Sequence, residues 1–158
     1  MIKFIEYTEN YQIEIHQFLT ELISSSLSSK PCFHSDLENI ISYIDNGGNF
    51  WIALCEETDS VVGTLALEKV SDSVGILRRF YVREQYRGHQ IGYHLFTMFE
   101  EYLKQTSIKT IYLYSHESLK KSHSIYERNG FIRIPKKEYI EDLPLEDRFY
   151  FKKEYCTK

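Results

Sequence analysis

The sequence predicts an α/β chain built on one central, mostly antiparallel sheet with a single parallel crossover pair. Two observations predict it. Three apolar, β-rich runs, "FWIALCEE", "VVGTLALEKV" and "VGILRRFYV", follow one another with only short polar turns between them, the pattern of an antiparallel meander. Then a helix-patterned segment leads straight into another β-rich run, "TIYLYSH", and a strand–helix–strand crossover makes its two strands parallel neighbours. A length of 158 residues suits one domain, 1–158, with a core that needs no second unit.

The elements follow in order. "IKFIEY" alternates as a strand does. Tyr11, Ile15, Phe18, Leu19 and Leu22 recur at helical spacing, and a serine-rich break from Ser24 to Ser29 closes at Pro31. "SDLE", Ser35 to Glu38, has the form of a capping box. Leu37, Ile40, Ile41 and Ile44 continue it as one helical face, which "NGG" at Asn46 to Gly48 ends. The meander comes next, its first hairpin turning at "TDS". Ile91, Leu95, Met98, Phe99, Tyr102 and Leu103 form the apolar stripe of the clearest helix, opposite His94, Glu100, Glu101 and Lys104. "TIYLYSH" (Thr110 to His116) is a strand, "SLKKSHSIYERNG" a helix ended by Gly130, and "FIRI" and "DRFYFKKEY" the last two strands. The order is β-α-α-β-β-β-α-β-α-β-β, a mixed sheet with helices packed on it.

Composition narrows the function. The net charge of −4 lacks the basic footprint of a nucleic-acid binder. Cys32, Cys55 and Cys156 are far apart with no C-x-x-C, which argues against a disulfide framework or a structural zinc site; Cys55 lies in an apolar run and reads as a small core residue. His16 and His34 have no partner at metal-ligand spacing, so no metal is expected. The opening "MIKFIEYTENYQ" has no unbroken apolar stretch of the kind a signal peptide needs, and no run is long enough to span a membrane. A cytoplasmic protein, monomeric or homodimeric, without membrane or nucleic-acid partners is the expectation.

The stretch that carries chemistry is "YVREQYRGHQIGYHLF", Tyr81 to Phe96. A strand ends at Val82, a polar turn holds Arg87 and Gly88, and a helix opens at Ile91. The first amides of a helix have no partner within it, and the helix dipole makes that end partly positive. A phosphate can accept hydrogen bonds from several of them at once. Glycine allows close approach of a ligand to the backbone, and Arg87 adds a charge-assisted contact. Neither a Walker loop nor the G-x-G-x-x-G fingerprint is present.

This stretch resembles the acyl-CoA loop of the GNAT superfamily of N-acetyltransferases, [RQ]-x-x-G-x-[GA] between the fourth strand and the third helix. Here the six positions are Arg87, Gly88, His89, Gln90, Ile91 and Gly92. "SIYERNGF", Ser124 to Phe131, is similar to a second segment of that family, where a helix carries a tyrosine and ends before the next strand. The resemblance follows the whole chain in element order and is specific from about residue 75 to residue 131. It implies a GNAT-like fold with helices on both faces of the sheet, acetyl-CoA as cosubstrate, and transfer of acetyl to a primary amine of a small molecule, peptide or protein by direct attack in a ternary complex. It further implies that the backbone of Phe80, Tyr81 and Val82, chiefly Phe80 and Val82, pairs with the pantetheine arm. Amides from Gly88 through His89, Gln90, Ile91 and Gly92 to Tyr93 would bind the pyrophosphate. Tyr126 would donate a proton, or at least a hydrogen bond, to the departing thiolate.

Two departures from the family pattern stand out. Gln90 occupies the place of the loop's middle glycine, so its side chain must point away from the phosphates or the loop is remodelled. Ile76 aligns with the carboxylate that the family often uses as a base acting through water. The base is therefore open: Glu68, His116 and Glu117 lie at or just beyond strand ends and could face the cleft, or could be solvated polar residues. His123 shares a helical face with Tyr126, either lining the site or filling the helix–sheet seam. A buried Cys55 argues against a covalent cysteine route. An acyl-CoA-binding sensor that kept the loop and lost the base is the alternative function. An aminoacyl-nucleic-acid modifier fits the charge poorly. The acceptor has no motif of its own, although acidic residues of "KKEYIEDLPLEDR" suit the entry path of a cationic amine as well as they suit a solvated loop.

Overall fold

In a computed structural model, residues 1–26, 35–142 and 147–155 are described. A seven-stranded sheet runs in the order β1-β2-β3-β4-β5-β7-β6. Its strands are β1 (Ile2–Glu6), β2 (Asn49–Cys55), β3 (Ser60–Lys69), β4 (Val74–Val82), β5 (Thr110–His116), β6 (Ile132–Ile134) and β7 (Arg148–Glu154). Every neighbouring pair is antiparallel except β4 and β5, which are parallel across the helical crossover. Among the described residues the α-helices are α1 (Gln12–Ser26), α2 (Ile41–Asp45), α3 (Ile91–Leu103) and α4 (Lys120–Arg128).

The sheet separates two cores. On one face Ile91, Leu95, Phe96, Phe99 and Leu103 of α3 and Tyr126 of α4 meet Trp51, Leu65, Leu67, Leu77, Ile111, Leu113 and Phe151. On the other, Ile15, Phe18 and Leu19 of α1, with Leu37, Ile40 and Tyr43, cover Phe50, Ile52, Leu54, Val61 and Ala66. β2 is buried along its whole length because alternate residues enter the two cores, and this is why it reads as an unbroken apolar run. The α3 stripe is wider than periodicity indicates. Phe96 is buried as well, whereas Met98 and Tyr102 are only partly so.

Two local expectations change. "SDLE" does not cap a helix; it is itself a 3₁₀ turn, and α2 starts only at Ile41 with no side-chain cap. The Asp36 carboxylate is occupied elsewhere, by Arg79 and Tyr43. The serine-rich break begins later than expected, since α1 runs through Ser26; the rest of that stretch, with Cys32 and His34, lies outside the described residues, as does Cys156. Cys55 is buried and free.

One irregularity shapes the site. The β3–β4 register slips between the Thr64–Tyr81 and Ala66–Arg78 pairs, leaving an extra residue on β4. Arg79 takes φ 53° there, and Thr64 Oγ1 donates to its carbonyl at 2.7 Å. A left-handed non-glycine residue costs on the order of 1 kcal/mol, which the buried threonine and the surrounding ladder offset. The bulge breaks the alternation of faces. Arg78 and Arg79 both emerge on the α1/α2 face, and Phe80 and Val82 return to the α3 face.

Candidate active site

β4 and β5 pair only from Val74–Thr110 to Ile76–Tyr112 and then part. Beyond that point the β5 side of β4 has no strand partner. Arg83 donates to Val62 of β3 at 2.8 Å, and Tyr81 is paired with Thr64, so the odd-numbered residues bond toward β3. Main-chain polar groups alternate sides along a strand, so those of Phe80 and Val82 face the open side. An extended chain with amide groups can add there as a strand would.

The open edge runs into the loop. A 3₁₀ turn (Glu84–Tyr86) and extended Arg87 lead to Gly88 at φ 87°, with open space where a side chain would be. Gln90 caps α3 in the left-handed conformation, φ 60° and ψ 21°, a backbone geometry that glycine takes readily and other residues seldom do. Its side chain is exposed. The first hydrogen bond of α3 runs from His94 N–H to the Gln90 carbonyl at 3.1 Å, which leaves the Ile91, Gly92 and Tyr93 amides ahead of it. A Cβ on Gly92 would lie 3.5 Å from Phe80 and 3.9 Å from Val82, ordinary contact distances. Internal packing therefore does not require glycine there. Arg87, Gly88, His89 and Tyr93 are exposed beside it.

Tyr126 comes from α4. It is buried, its ring 6.3 Å from Phe80, 6.0 Å from Phe131 and 5.6 Å from Phe151. Burial pushes its phenol well above the ordinary value, and the nearby Tyr81 phenol adds to the shift. The group stays protonated throughout the neutral range. The structure thus brings Tyr126 against Phe80, on the strand whose open edge leads to the loop.

The three candidate bases are not brought together. Glu68 faces Ile76 across the β3–β4 ladder, and its Oε1 accepts from Arg78 Nε at 2.8 Å. His116 ends β5, with its Nδ1 2.7 Å from Ser118 Oγ and accepting from the Ser118 amide at 3.1 Å. Glu117 is exposed, and its amide donates to the Asp147 carbonyl at 2.8 Å. The residues from Tyr112 to His116 span about 13 Å, so the last two stand far from the level of Ile76. Ile76 itself is 1% exposed, an apolar closed position. His123 fills the helix–sheet seam against Phe149 and Phe151, where burial pushes its imidazole down. Among the described residues no His, Cys, Asp or Glu cluster could hold a metal, and no helix is long and apolar enough to cross a membrane.

Periodicity missed a cluster on the opposite face, in which Arg78 joins Glu68 and Glu141 while Arg79 joins Asp36. Burial would raise the Asp36 carboxyl, but hydrogen bonds from Arg79 and Tyr43 and the guanidinium charge hold it below its usual range. The signal was the "RR" doublet inside a strand. Alternation would send one of the two cations into a core, so a break in the strand was implied.

Comparison with known proteins agrees with this geometry. The model of the GNAT acetyltransferase family matches residues 10–131. The chain is similar to a GNAT-family acetyltransferase from Staphylococcus aureus Mu50, with 26% identity, a TM-score of 0.89, and coverage of 99% of this chain and 100% of that one. An acetyltransferase from Streptococcus agalactiae 2603 shares 28% identity at a TM-score of 0.86, covering 97% and 98% of the two chains. PaiA N-acetyltransferase from Thermoplasma acidophilum, solved in complex with coenzyme A, has the same fold at 19% identity and a TM-score of 0.73, over 98% of this chain and 99% of that one. Curated protein sequences give no match. With a family model spanning most of its length and an open strand edge leading into a loop of free helix-start amides, the chain belongs to the GNAT family of acetyltransferases and is an acyltransferase.

Proposed function

We propose that the protein transfers acetyl from acetyl-CoA to a primary amine by direct attack in a ternary complex. One observation carries the reading: the parting of β4 from β5 after Ile76 and Tyr112 opens an edge that runs from Tyr126 to the α3 amides. Phe80 and Val82 would hold the pantetheine amides. The amides of Gly88 to Tyr93, with Arg87, would hold the pyrophosphate. The acceptor nitrogen attacks the thioester carbonyl, the C–N bond forms, the C–S bond breaks, the electron pair leaves on sulfur, and the proton that the nitrogen sheds as it becomes an amide passes through water to that thiolate, which leaves as the thiol. A phenol with so high a pKa is a poor proton donor to a thiolate, whose conjugate acid ionises near 8.5 when unperturbed, so Tyr126 acts chiefly as a hydrogen-bond donor to the developing charge. With Ile76 buried where a carboxylate often stands, the ammonium proton goes to water before attack.

That same Ile76 favours a second reading, an acyl-CoA-binding sensor without turnover. Both readings require donor binding. Calorimetric titration with CoA tests it, and no binding at near-millimolar concentration would overturn both. Turnover of acetyl-CoA with a panel of n-butylamine, 1,4-diaminobutane, glycine and lysine amide separates them. Thiol release that depends on amine supports the transferase; binding without release supports the sensor.

A further inference from the structure

The sheet parts a second time, at its outer edge. β6 and β7 pair only as far as Ile134 and Tyr150. Pro135 follows Ile134 and has no N–H to continue the ladder, and the chain turns away through a 3₁₀ turn at Lys136–Glu138. On the other strand, β7 starts at Arg148, just after Asp147. Asp147 takes φ 58°, and its carbonyl accepts from the Glu117 amide at 2.8 Å, on the β5 side. A notch of about 430 Å³ is left where the two strands part. Its walls carry Arg133, Lys136 and Arg148 with Asp147, and between them the apolar parts of Ile134, Phe149 and Tyr150.

The charge of the notch runs against that of the chain. Three cations face one carboxylate here, whereas the whole molecule carries −4. Arg133 is the cation best placed to recognise a ligand. Its guanidinium carbon lies 3.5 Å from the centre of the Phe149 ring, a distance at which the group lies flat on the ring face. A stacked guanidinium keeps its N–H groups directed outward in its own plane, where two of them can meet two oxygens at once. Arg133 is exposed, and among the described residues no carboxylate pairs with it. The volume lies within the range of about 300–1,000 Å³ for ligand sites, enough for an organic body beside its charged group. Ile134, Phe149 and Tyr150 give that body apolar contact.

We propose that this notch is an anion site for a small phosphate monoester with an apolar body, distinct from the acyl-transfer cleft. Phosphate matches the two surplus positive charges. A monoester carries a charge near −2 above its second pKa of about 6, and its three terminal oxygens can be shared among Arg133, Lys136 and Arg148. The occupant is not the acceptor. An acceptor nitrogen must reach the thioester between β4 and β5, whereas the notch lies beyond β7, the second strand from β4, about 10 Å across the sheet. An occupant ties the end of β6 to the start of β7. It thereby stiffens the connection that carries Glu141, the partner of Arg78.

The test is calorimetry of the full chain with phenyl phosphate at about pH 8, where the ester is a dianion, under saturating CoA. One site of sub-millimolar affinity is expected. Binding abolished by CoA would place the phosphate in the α3 loop and overturn the proposal. Benzoate has one charge and inorganic phosphate has no body, so each should bind at least tenfold more weakly. Inorganic phosphate binding as tightly would mean an adventitious ion only, and benzoate binding as tightly would overturn the choice of phosphate. Arg133→Gln and Lys136→Gln, both at exposed positions, should each lower phenyl phosphate affinity at least tenfold, with CoA affinity within twofold of wild type. Wild-type affinity in both overturns the site. Arg133→Lys keeps the charge and loses the stacked plane; wild-type affinity there would overturn recognition by the fork. Hydrogen exchange in residues 132–138 should slow when phenyl phosphate binds, and unchanged exchange would mean that it binds elsewhere. Displacement by the best acceptor of the amine panel would make the notch the acceptor's own and overturn its separateness. These readouts are of binding, so they hold whether or not the enzyme turns over.

Discussion

Gln90 shows how much one residue can hide. By letter it breaks the loop motif; by backbone it takes a conformation that suits glycine, at φ 60°. Glycine at that site would relieve left-handed strain of about 1 kcal/mol or more, partly offset by the added freedom of the unfolded chain. Gln90→Gly should therefore raise Tm by roughly 1–4 °C in a calorimetric scan with CoA affinity unchanged; a fall in Tm would mean that the glutamine side chain contributes a contact of its own. Tyr126 makes the opposite point, since its identity matters through its hydroxyl. If the phenol stabilises the leaving thiolate, Tyr126→Phe should lower kcat by about 10²-fold or more and leave CoA affinity nearly intact. A loss below about twofold would remove it from the mechanism. His123 has no catalytic part in this scheme, but it makes stability depend on pH. Burial lowers its folded pKa below the unfolded value of about 6.5, and its Nε2 is buried with no hydrogen-bond partner. Its contribution is fully present above about pH 6.5 and is lost as pH falls through and below that value, because the unfolded chain binds the proton more readily. His123→Phe should flatten the decline of Tm between pH 7.5 and pH 5; an unchanged slope would assign that decline to other groups.

At the scale of elements, β4 and α3 form a unit whose fit is separable from its function. A Cβ at Gly92 meets Phe80 and Val82 at ordinary distances, so Gly92→Val should leave Tm within a few degrees of wild type. On the proposed binding mode the added methyls crowd the amides assigned to the pyrophosphate, so CoA affinity should fall at least tenfold by calorimetry. Equal affinity would take the phosphates away from this turn. The ends of α3 and β5, Ile91–Leu103 and Thr110–His116, are those read from the sequence, because apolar periods of 3.6 and 2 were unbroken there. The loop was legible for the same local reason, its glycines and arginine lying within one short stretch. What could not be read is tertiary. The Ser35–Glu38 turn looks like a helix start, yet its aspartate is drawn to Arg79, 43 residues away. The clamps on Arg78 and Arg79 join side chains up to 63 residues apart, and no local pattern encodes such a pairing. Only the doublet itself, two cations in succession on a strand, betrayed the bulge.

For the whole molecule, the pH dependence of turnover depends on where the proton of the amine goes. If, as proposed, deprotonation falls to water because Ile76 is buried and Glu68 is held by Arg78, kcat/KM should rise with pH toward the acceptor's own pKa, about 10.4 for a lysine-like amine. Profiles with two acceptors of different pKa should break at two different places. A common break near pH 6–7 would reveal a base of the enzyme's own, and alanine at Glu68, His116 and Glu117 in turn would identify it. The parting of β4 from β5 also bears on how such a chain changes over generations. If the donor is held through peptide groups along Phe80–Val82, as proposed, side-chain identity there matters little to it, and substitutions that keep the strand extended should pass with little penalty to that half of the reaction. On that mode of binding, grip on the acyl donor is inherited through backbone shape, and sequence along this edge is free to drift.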